Sequence, residues 1–374
     1  MKIEIQTLDD VLPHISYDDG IVVSERADYT MVDYVFVTDN TSANPIAQQC
    51  RGLKFGGDER LIARPFHKFF NIGEREQPNQ VDWTRPHVIM DKLDGSMIHP
   101  AIIKDEMVFM TRMGITDQAR AALAVASDGV KRLSADAMAA GQTPIFEFTG
   151  PDNRVVVEYA ETAITLLAVR DIISGAYLSH ADLVALAGRY GVPVAATFGQ
   201  VTDANAFVLQ GRALRDVEGY VVAFEDGHRL KLKADAYALR HKALAGVSLE
   251  KNVLAWIVEG AVDDVLPLLH DDVADRVRTY QSQLMAKVNG HVADLTDFAD
   301  GFDMSDRRTY AMAVKDKIDR RLQPAAFALA DGRDARAAVL KLLKWASGSE
   351  NRVHEVRDLF DLDWKGSDLV MRDI

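Results

Sequence analysis

The stretch Val88-Ile89-Met90-Asp91-Lys92-Leu93-Asp94-Gly95-Ser96-Met97-Ile98-His99-Pro100 decides how the chain is read. Two runs rich in apolar residues flank Leu93-Asp94-Gly95-Ser96, so two strands joined at a tight turn are predicted. Lys92 ends the first run. This puts an amine at a strand edge, and Asp94-Gly95 would let backbone come close to a ligand. A plain hairpin has the same letters, because Asp-Gly is common in such turns. Lys-x-Asp-Gly also arises by chance in about one chain of ten at this length. The rest of the sequence has to separate the two readings.

Outward from this point, residues 1–115 read mainly as short strands and turns. Lys2–Leu8, Gly20–Arg26 and Asp33–Asp39 carry β-branched and aromatic residues, and Leu53–Pro65 reads as a hairpin with Gly56-Gly57 at its turn. Residues 117–140 are Ala-rich and predict helix, broken near Ser127-Asp128-Gly129. Strands are predicted at Thr143–Phe148, Val155–Ala160 and Ala163–Ile172. Ser179–Gly191 is a capped helix, and Glu218–Ala234 is a hairpin through Glu225-Asp226-Gly227-His228. From Glu250 onward the apolar period lengthens from about 2 to about 3.6, which predicts five or so helices and no strand. The expected organisation is α+β, with an N-terminal domain at 1–245 and an all-helical C-terminal domain at 246–374.

The chain has 374 residues and a net charge of −13. Acidic residues outnumber basic ones both before and after residue 250, which disfavours a sliding, non-specific DNA binder. A nucleic-acid enzyme needs only local cations. The longest stretch without Asp, Glu, Lys or Arg runs from Tyr190 to Thr202, too short for a membrane helix. The first ten residues show no apolar h-region, so no secretory signal is expected. Cys50 is the single cysteine, so no intrachain disulfide can form and a reducing, cytoplasmic setting is expected. Cys50 reads as a small buried apolar residue rather than a nucleophile. His99, His228 and His241 show no metal-ligand spacing.

Three further signals follow Lys92-Leu93-Asp94-Gly95 in order, each on a predicted strand: Phe146-Glu147-Phe148, Glu218-Gly219-Tyr220-Val221 and Lys231-Leu232-Lys233. Together they resemble the ordered motifs of the covalent nucleotidyltransferases, which comprise ATP-dependent ligases and capping enzymes. Within that superfamily the chain resembles the RNA ligase 1 family of T-even-type bacteriophages. Cys50-Arg51-Gly52, Pro65 with Lys68-Phe69-Phe70-Asn71, and Asn153-Arg154-Val155-Val156 carry this resemblance. So do Val169-Arg170, Asp235 with Tyr237, and Arg308-Thr309-Tyr310-Ala311-Met312. Helical sequence follows Lys233 where DNA ligases and capping enzymes carry an OB-fold.

The resemblance implies an antiparallel-sheet nucleotidyltransferase domain of the ATP-grasp-like ligase type. It implies ATP-dependent joining of RNA 3′-OH and 5′-phosphate ends, with repair of tRNA cut in the anticodon loop. The co-substrate would be ATP and the metal Mg²⁺ or Mn²⁺. The partner would be RNA, such as a nicked tRNA, acted on by a monomer with no membrane attachment, in the host bacterial cytoplasm if phage-encoded. Lys92 would be the nucleophile within the catalytic set Lys92, Asp94, Gly95 and Glu218. Tyr34, Arg51, Lys68, Glu147, Lys231 and Lys233 would line the nucleotide, with Arg51 and Lys68 holding the leaving pyrophosphate. Glu147, Glu218 and Asp263 would serve the metal, and Tyr237 substrate specificity. Arg112 stands where the family has a lysine, keeping the charge but as a planar fork. The alternatives are another lysine nucleotidyltransferase, meaning a DNA ligase or capping enzyme, and a non-catalytic RNA-binding relative.

Elementary chemistry constrains these roles. A lysine attacks phosphorus only as a free amine, and its ordinary pKa is about 10.4. Neighbouring positive charge is therefore expected to deprotonate Lys92, from Lys231, Lys233 or a bound cation. Lys231 and Lys233 are two apart, so they share one strand face, opposite Leu230 and Leu232. Glu147 and Glu218 lie in apolar strands and each needs a partner. A structural ion pair would serve as well as a ligand. Tyr34 could equally be a strand core residue, the lysine pair a solvated face, and Asp263 a helix N-terminal acid.

Overall fold

β-branched and aromatic residues in Ile21–Glu25 (β1) and Tyr29–Tyr34 (β2) start an antiparallel sheet that continues through Leu53–Gly56 (β3) and Leu61–Ala63 (β4). The computed structural model describes residues 3–361 and 363–366. β3 and β4 form the hairpin expected at Gly56-Gly57. The remaining strands are Phe70–Asn71 (β5), His87–Asp91 (β6), Ser96–Ile103 (β7), Glu106–Met110 (β8), Gln142–Thr149 (β9), Ala163–Asp171 (β10), Gly219–Phe224 (β11) and Arg229–Lys233 (β12). They make two more four-stranded sheets, ordered β10-β9-β7-β8 and β5-β12-β11-β6. Pairing is antiparallel throughout except between β5 and β12.

The second sheet is covered by three helices. Thr116 caps Asp117–Val125, Ser127 caps Asp128–Ala139 and Ser179 caps His180–Tyr190. Each hydroxyl accepts a backbone N–H that the first turn would otherwise leave unpaired. Ala119, Ala122, Leu133 and Ala187 from these helices share a core with Ile98, Phe146 and Leu166 of the sheet. The third sheet buries Val222, Leu230 and Leu232 with Val208 of the helix Ala204–Arg212. Burying each leucine stabilises this facing by about 1.5–3 kcal/mol. A one-residue slip of β12 would send Lys231 and Lys233 into that core instead. Hydrophobic burial of one face thus fixes which side of the sheet carries charge.

The chain is α+β and divides into two compact units at Ala238/Leu239. Helix Asp235–Val247 runs through the division. The second unit's described residues hold seven further helices and no strand, more than the five or so expected. The longest, Asp271–Asp300, buries Val273, Val277, Tyr280, Leu284, Val288 and Leu295 at helical spacing. Glu250 is buried in this unit, where it accepts a hydrogen bond from Tyr280 at 2.8 Å and pairs with Arg357.

Three strand expectations fail in whole or in part. Val155–Ala160 forms no strand, because the N–H groups of Val156 and Val157 both donate to Asp94 Oδ2 at 2.7 Å. Asp33–Asp39 is strand only to Tyr34, and Val35, Phe36 and Val37 are exposed. The segment Ile3–Thr7 makes only an isolated bridge, Thr7 to Arg60, before a 3₁₀ turn at Leu8–Asp10.

Candidate active site

Lys92 directly follows β6, and its N–H donates to the carbonyl of Gly219 at 3.0 Å. Pairing of β6 with β11 and of β11 with β12 aligns the end of each strand. Asp91 faces Tyr220, and Gly219 faces Lys233. Three motifs far apart in sequence therefore meet at one sheet end. Lys92 Nζ lies 2.8 Å from Glu218 Oε1, and Lys233 Nζ lies 3.0 Å from the same oxygen. Glu218 is almost fully buried. Burial alone would raise its carboxyl pKa, but Lys92 and Lys233 outweigh burial and hold it below the ordinary value.

The same geometry reverses an expectation about Lys92. Burial would push its ammonium down, but Glu218, Glu147 and Asp94 hold it above the ordinary value. These carboxylates favour the charged form of Lys92. Lys231 is the lysine that burial, together with Lys68, Lys92, Lys233 and Arg51, pushes down to about 7. The two lysines of β12 thus differ. Lys233 shares a carboxylate, while Lys231 sits among cations with its Nζ 6.0 Å from the Phe69 ring centroid.

The turn at 93–95 is held from several sides. Asp94 is buried, and its Oδ1 accepts from the Tyr237 hydroxyl at 2.6 Å while Oδ2 takes the Val156 and Val157 N–H groups. Its own N–H donates to the Tyr159 hydroxyl at 3.0 Å. Asp94 therefore holds the turn that presents Lys92, and Tyr237 serves as one of its donors. Gly95 is glycine because a Cβ there would lie 2.2 Å from the Phe148 carbonyl oxygen. The close approach is thus to strand β9. The Gly95 N–H donates to Glu147 Oε1 at 3.1 Å, and Ser96 Oγ to Asn153 Oδ1 at 3.1 Å.

A second group of cations gathers on Tyr34, at the end of β2. Lys68 Nζ is 5.2 Å from its ring centroid and Arg112 Cζ is 5.1 Å away. Burial would raise the phenol pKa, but Arg51, Lys68 and Arg112 overcome it and lower the value. Arg51 also donates to Met97 Sδ at 3.3 Å. Arg112 Nη1 donates to the Tyr34 carbonyl at 3.2 Å and lies 3.4 Å from Asp33 Oδ2. Side chains of this kind suit phosphate oxygens.

Glu147 lies on β9 opposite Met97. Burial, helped by Glu218 and Asp94, pushes its carboxyl up to about 8 against the opposing charge of Lys92. A carboxyl so crowded by other carboxylates fits a cation. The oxygen donor set of Glu147 and Glu218 suits a hard divalent ion such as Mg²⁺ or Mn²⁺. Among the described residues no three His, Cys, Asp or Glu side chains converge on one point. A bound ion would then keep water and phosphate oxygens, as Mg²⁺ commonly does. Asp263, the third expected metal ligand, belongs to the second unit, exposed on the short helix Val262–Val265. All the other expected site residues lie in the first unit.

Sequence reasoning missed Tyr159, Asp33 and Lys54, which back the site. None carries a local pattern, and Lys54 lies between Leu53 and Phe55 like any strand residue. Cys50 is buried, its thiol pushed up to about 12 by burial and then by Asp33, as befits an inert side chain. No helix among the described residues is long and apolar enough to cross a membrane.

The chain is similar in sequence to known RNA ligases over part of its length. Residues 49–237, just over half of the chain, match the RNA ligase family of the T4 RNA ligase 1 type. RNA ligase 1 of bacteriophage TS2126 is 30% identical over 210 residues, covering 51% of each chain. A protein of Thermovibrio ammonificans, provisionally named an RNA ligase, is 27% identical over 248 residues, covering 63% of this chain and 64% of that one. Among solved structures, an archaeal ATP-dependent RNA ligase aligns over 64% of each chain at 19% identity and a TM-score of 0.47. The chain thus spans between half and two thirds of the length of these curated relatives. On the match over residues 49–237, the chain belongs to the T4-type RNA ligase 1 family.

Proposed function

We propose that the chain is an ATP-dependent RNA ligase working through a lysyl-AMP intermediate on Lys92. The supporting observation is the shared carboxylate of Glu218, which pins Lys92 and Lys233 at one sheet end. In the first step the Lys92 amine attacks the α-phosphorus of ATP, a P–N bond forms, and the bond to the leaving pyrophosphate breaks. AMP then passes to the RNA 5′-phosphate, and the 3′-OH displaces AMP to close the phosphodiester. Little covalent work falls to other side chains, so positioning and cationic clamping carry the catalysis. Lys231, Lys233, Arg51 and Lys68 offer the cations for the triphosphate, and Asp94 fixes the turn carrying the nucleophile.

Lys92 must lose its proton before it attacks. A divalent cation bound beside Glu147 and Glu218 would supply positive charge that weakens the hold of these carboxylates on the ammonium. Glu218 would still pair with Lys233.

The finer reading is repair of tRNA nicked in the anticodon loop, with Mg²⁺ as the metal and a monomer working in the cytoplasm. Under this reading the unit after Ala238 selects the folded RNA. Intact-mass spectrometry after incubation with ATP and Mg²⁺ tests the central claim. One AMP on wild-type protein, absent from Lys92→Ala, is expected. GMP taken from GTP would indicate capping chemistry, and no adduct would leave an RNA-binding relative.

A further inference from the structure

Lys54 is fully buried, between Leu53 and Phe55 on β3, which are also fully buried. A lysine in such a place is costly, and an apolar residue would ordinarily be cheaper. Its Nζ donates to the Gly52 carbonyl at 2.7 Å and to the Arg112 carbonyl at 2.9 Å. These two carbonyls come from segments sixty residues apart. They converge because Gly52, at φ +79°, lets the backbones touch: a Cβ on Gly52 would lie 2.8 Å from the Arg112 oxygen. Arg112 occupies the tip of a tight turn in which Thr111 and Gly114 exchange backbone hydrogen bonds at 2.8 and 3.1 Å.

Asp33 closes the arrangement. It is buried beside both cations, 3.4 Å from the Arg112 guanidinium, and both Arg112 and Lys54 oppose the burial that raises its carboxyl pKa. Lys54 therefore grips the Arg112 backbone while Asp33 grips its side chain. The outcome is a guanidinium held over the Tyr34 ring, within the cation group of Arg51 and Lys68. Burial pushes Lys54 down to about 7, with Asp33 opposing and Arg112 adding to the fall. An amine that has lost its proton still donates to both carbonyls, so the clamp does not depend on the charge.

We propose that Lys54 is a positioning residue for ATP binding, acting through Arg112 by holding the 111–114 turn against Gly52. The proposal rests on the ligase reading above, with Arg112 as a nucleotide contact. Its purpose is specific to a fork: Arg112 must be aimed, because its planar donors work only in one orientation.

The test is a double-mutant cycle in the full-length chain. Lys92 adenylylation is followed by intact mass as a function of ATP concentration, for wild type, Lys54→Met, Arg112→Ala and the double variant. Lys54→Met should raise the half-saturating ATP concentration by up to about tenfold, the worth of one hydrogen bond, with a smaller change in maximal rate. In the Arg112→Ala background the same change should add nothing to the ATP requirement, although it lowers Tm in both backgrounds. Equal factors in the two backgrounds, or unchanged ATP dependence in wild-type background, would overturn the proposal. If Lys54→Met does not fold, Asp33→Asn replaces it in the cycle, with the same non-additivity expected and additivity again overturning it. Wild type that takes up no AMP overturns the ligase reading itself, an outcome distinct from an additive cycle.

Discussion

Lys92 and Lys233 approach the same oxygen of Glu218, at 2.8 and 3.0 Å, so the residue expected to attack and one expected to clamp share a single counter-ion. Sharing means that neither lysine can be altered without changing the charge felt by the other. It also makes Glu218 the residue that decides whether Lys92 waits as an ammonium.

Glu218→Gln should lower the pKa of Lys92 in the ATP-free protein, because the first carboxylate holding its proton is gone. Lys92 would then react with an amine-selective acylating reagent at a lower pH than in wild type. The readout is the pH profile of label at Lys92 by peptide mass spectrometry. An unshifted profile would show that Glu147 and Asp94 suffice. Adenylylation should still fall, since Lys233 loses its partner.

The stability of the ATP-free protein should change with pH through Glu147. Its carboxyl has an unfolded pKa of about 4.3 and is pushed up to about 8 in the fold. The folded state therefore holds the extra proton between these values, and stability falls as pH rises across that window. Glu147→Gln removes the titration. Relative to wild type the variant should gain stability steadily from pH 5 to pH 8, as measured by urea midpoints, and then level off. Glu218 acts with the opposite sign. Its lowered pKa contributes stability above its unfolded value, lost as pH falls through the folded one.

Arg51→Ala and Lys68→Ala should cost more in self-adenylylation than in sealing a pre-adenylylated RNA. Both cations stand at Tyr34, where a leaving pyrophosphate would be held, and the later steps release none. Equal losses in the two assays would contradict this role.

Arg112→Lys should slow ligation several-fold, about the loss expected when a planar fork becomes a point charge. The guanidinium addresses the Asp33 carboxylate, the Tyr34 carbonyl and the Tyr34 ring together, which one ammonium cannot reproduce. Unchanged ligation rates would show that charge alone matters there.

In the second unit, Arg308 and Lys341 are exposed, whereas Arg307 pairs with Asp331 at 2.7 Å and Lys344 approaches Glu259 at 3.7 Å. Tyr310 is buried and its hydroxyl donates to the Ala326 carbonyl at 2.8 Å, so it belongs to the core and is not a stacking platform. If this unit selects folded RNA, Arg308→Ala with Lys341→Ala should lower kcat/KM for a nicked tRNA relative to a simple single strand. The ratio of the two kcat/KM values is the measurement, and an unchanged ratio removes these cations from RNA selection.

By itself the sequence determined the hairpins at Leu53–Pro65 and Glu218–Ala234 and which side of the last strand is charged. Alternation in Arg229–Lys233 sets Leu230 and Leu232 against Lys231 and Lys233, and burial of the leucines leaves the lysines only one side to occupy. The helix caps at Thr116, Ser127 and Ser179 are equally local, since each is a hydroxyl serving an N–H three residues on. The order of the motifs around Lys92, Glu147, Glu218 and Lys231 was likewise legible. What only the tertiary structure decided was partnership. Whether Lys92 faces cations or carboxylates depends on the register of three strands, and the answer is Glu218, opposite to the expectation from neighbouring lysines. Val155–Ala160 has the composition of a strand, but Asp94 takes two of its N–H groups. Lys54 reads as an ordinary strand residue until Gly52 brings the Arg112 carbonyl to it. In each case the deciding interaction is between groups distant in sequence, and local propensity says nothing about which distant group will satisfy a buried charge.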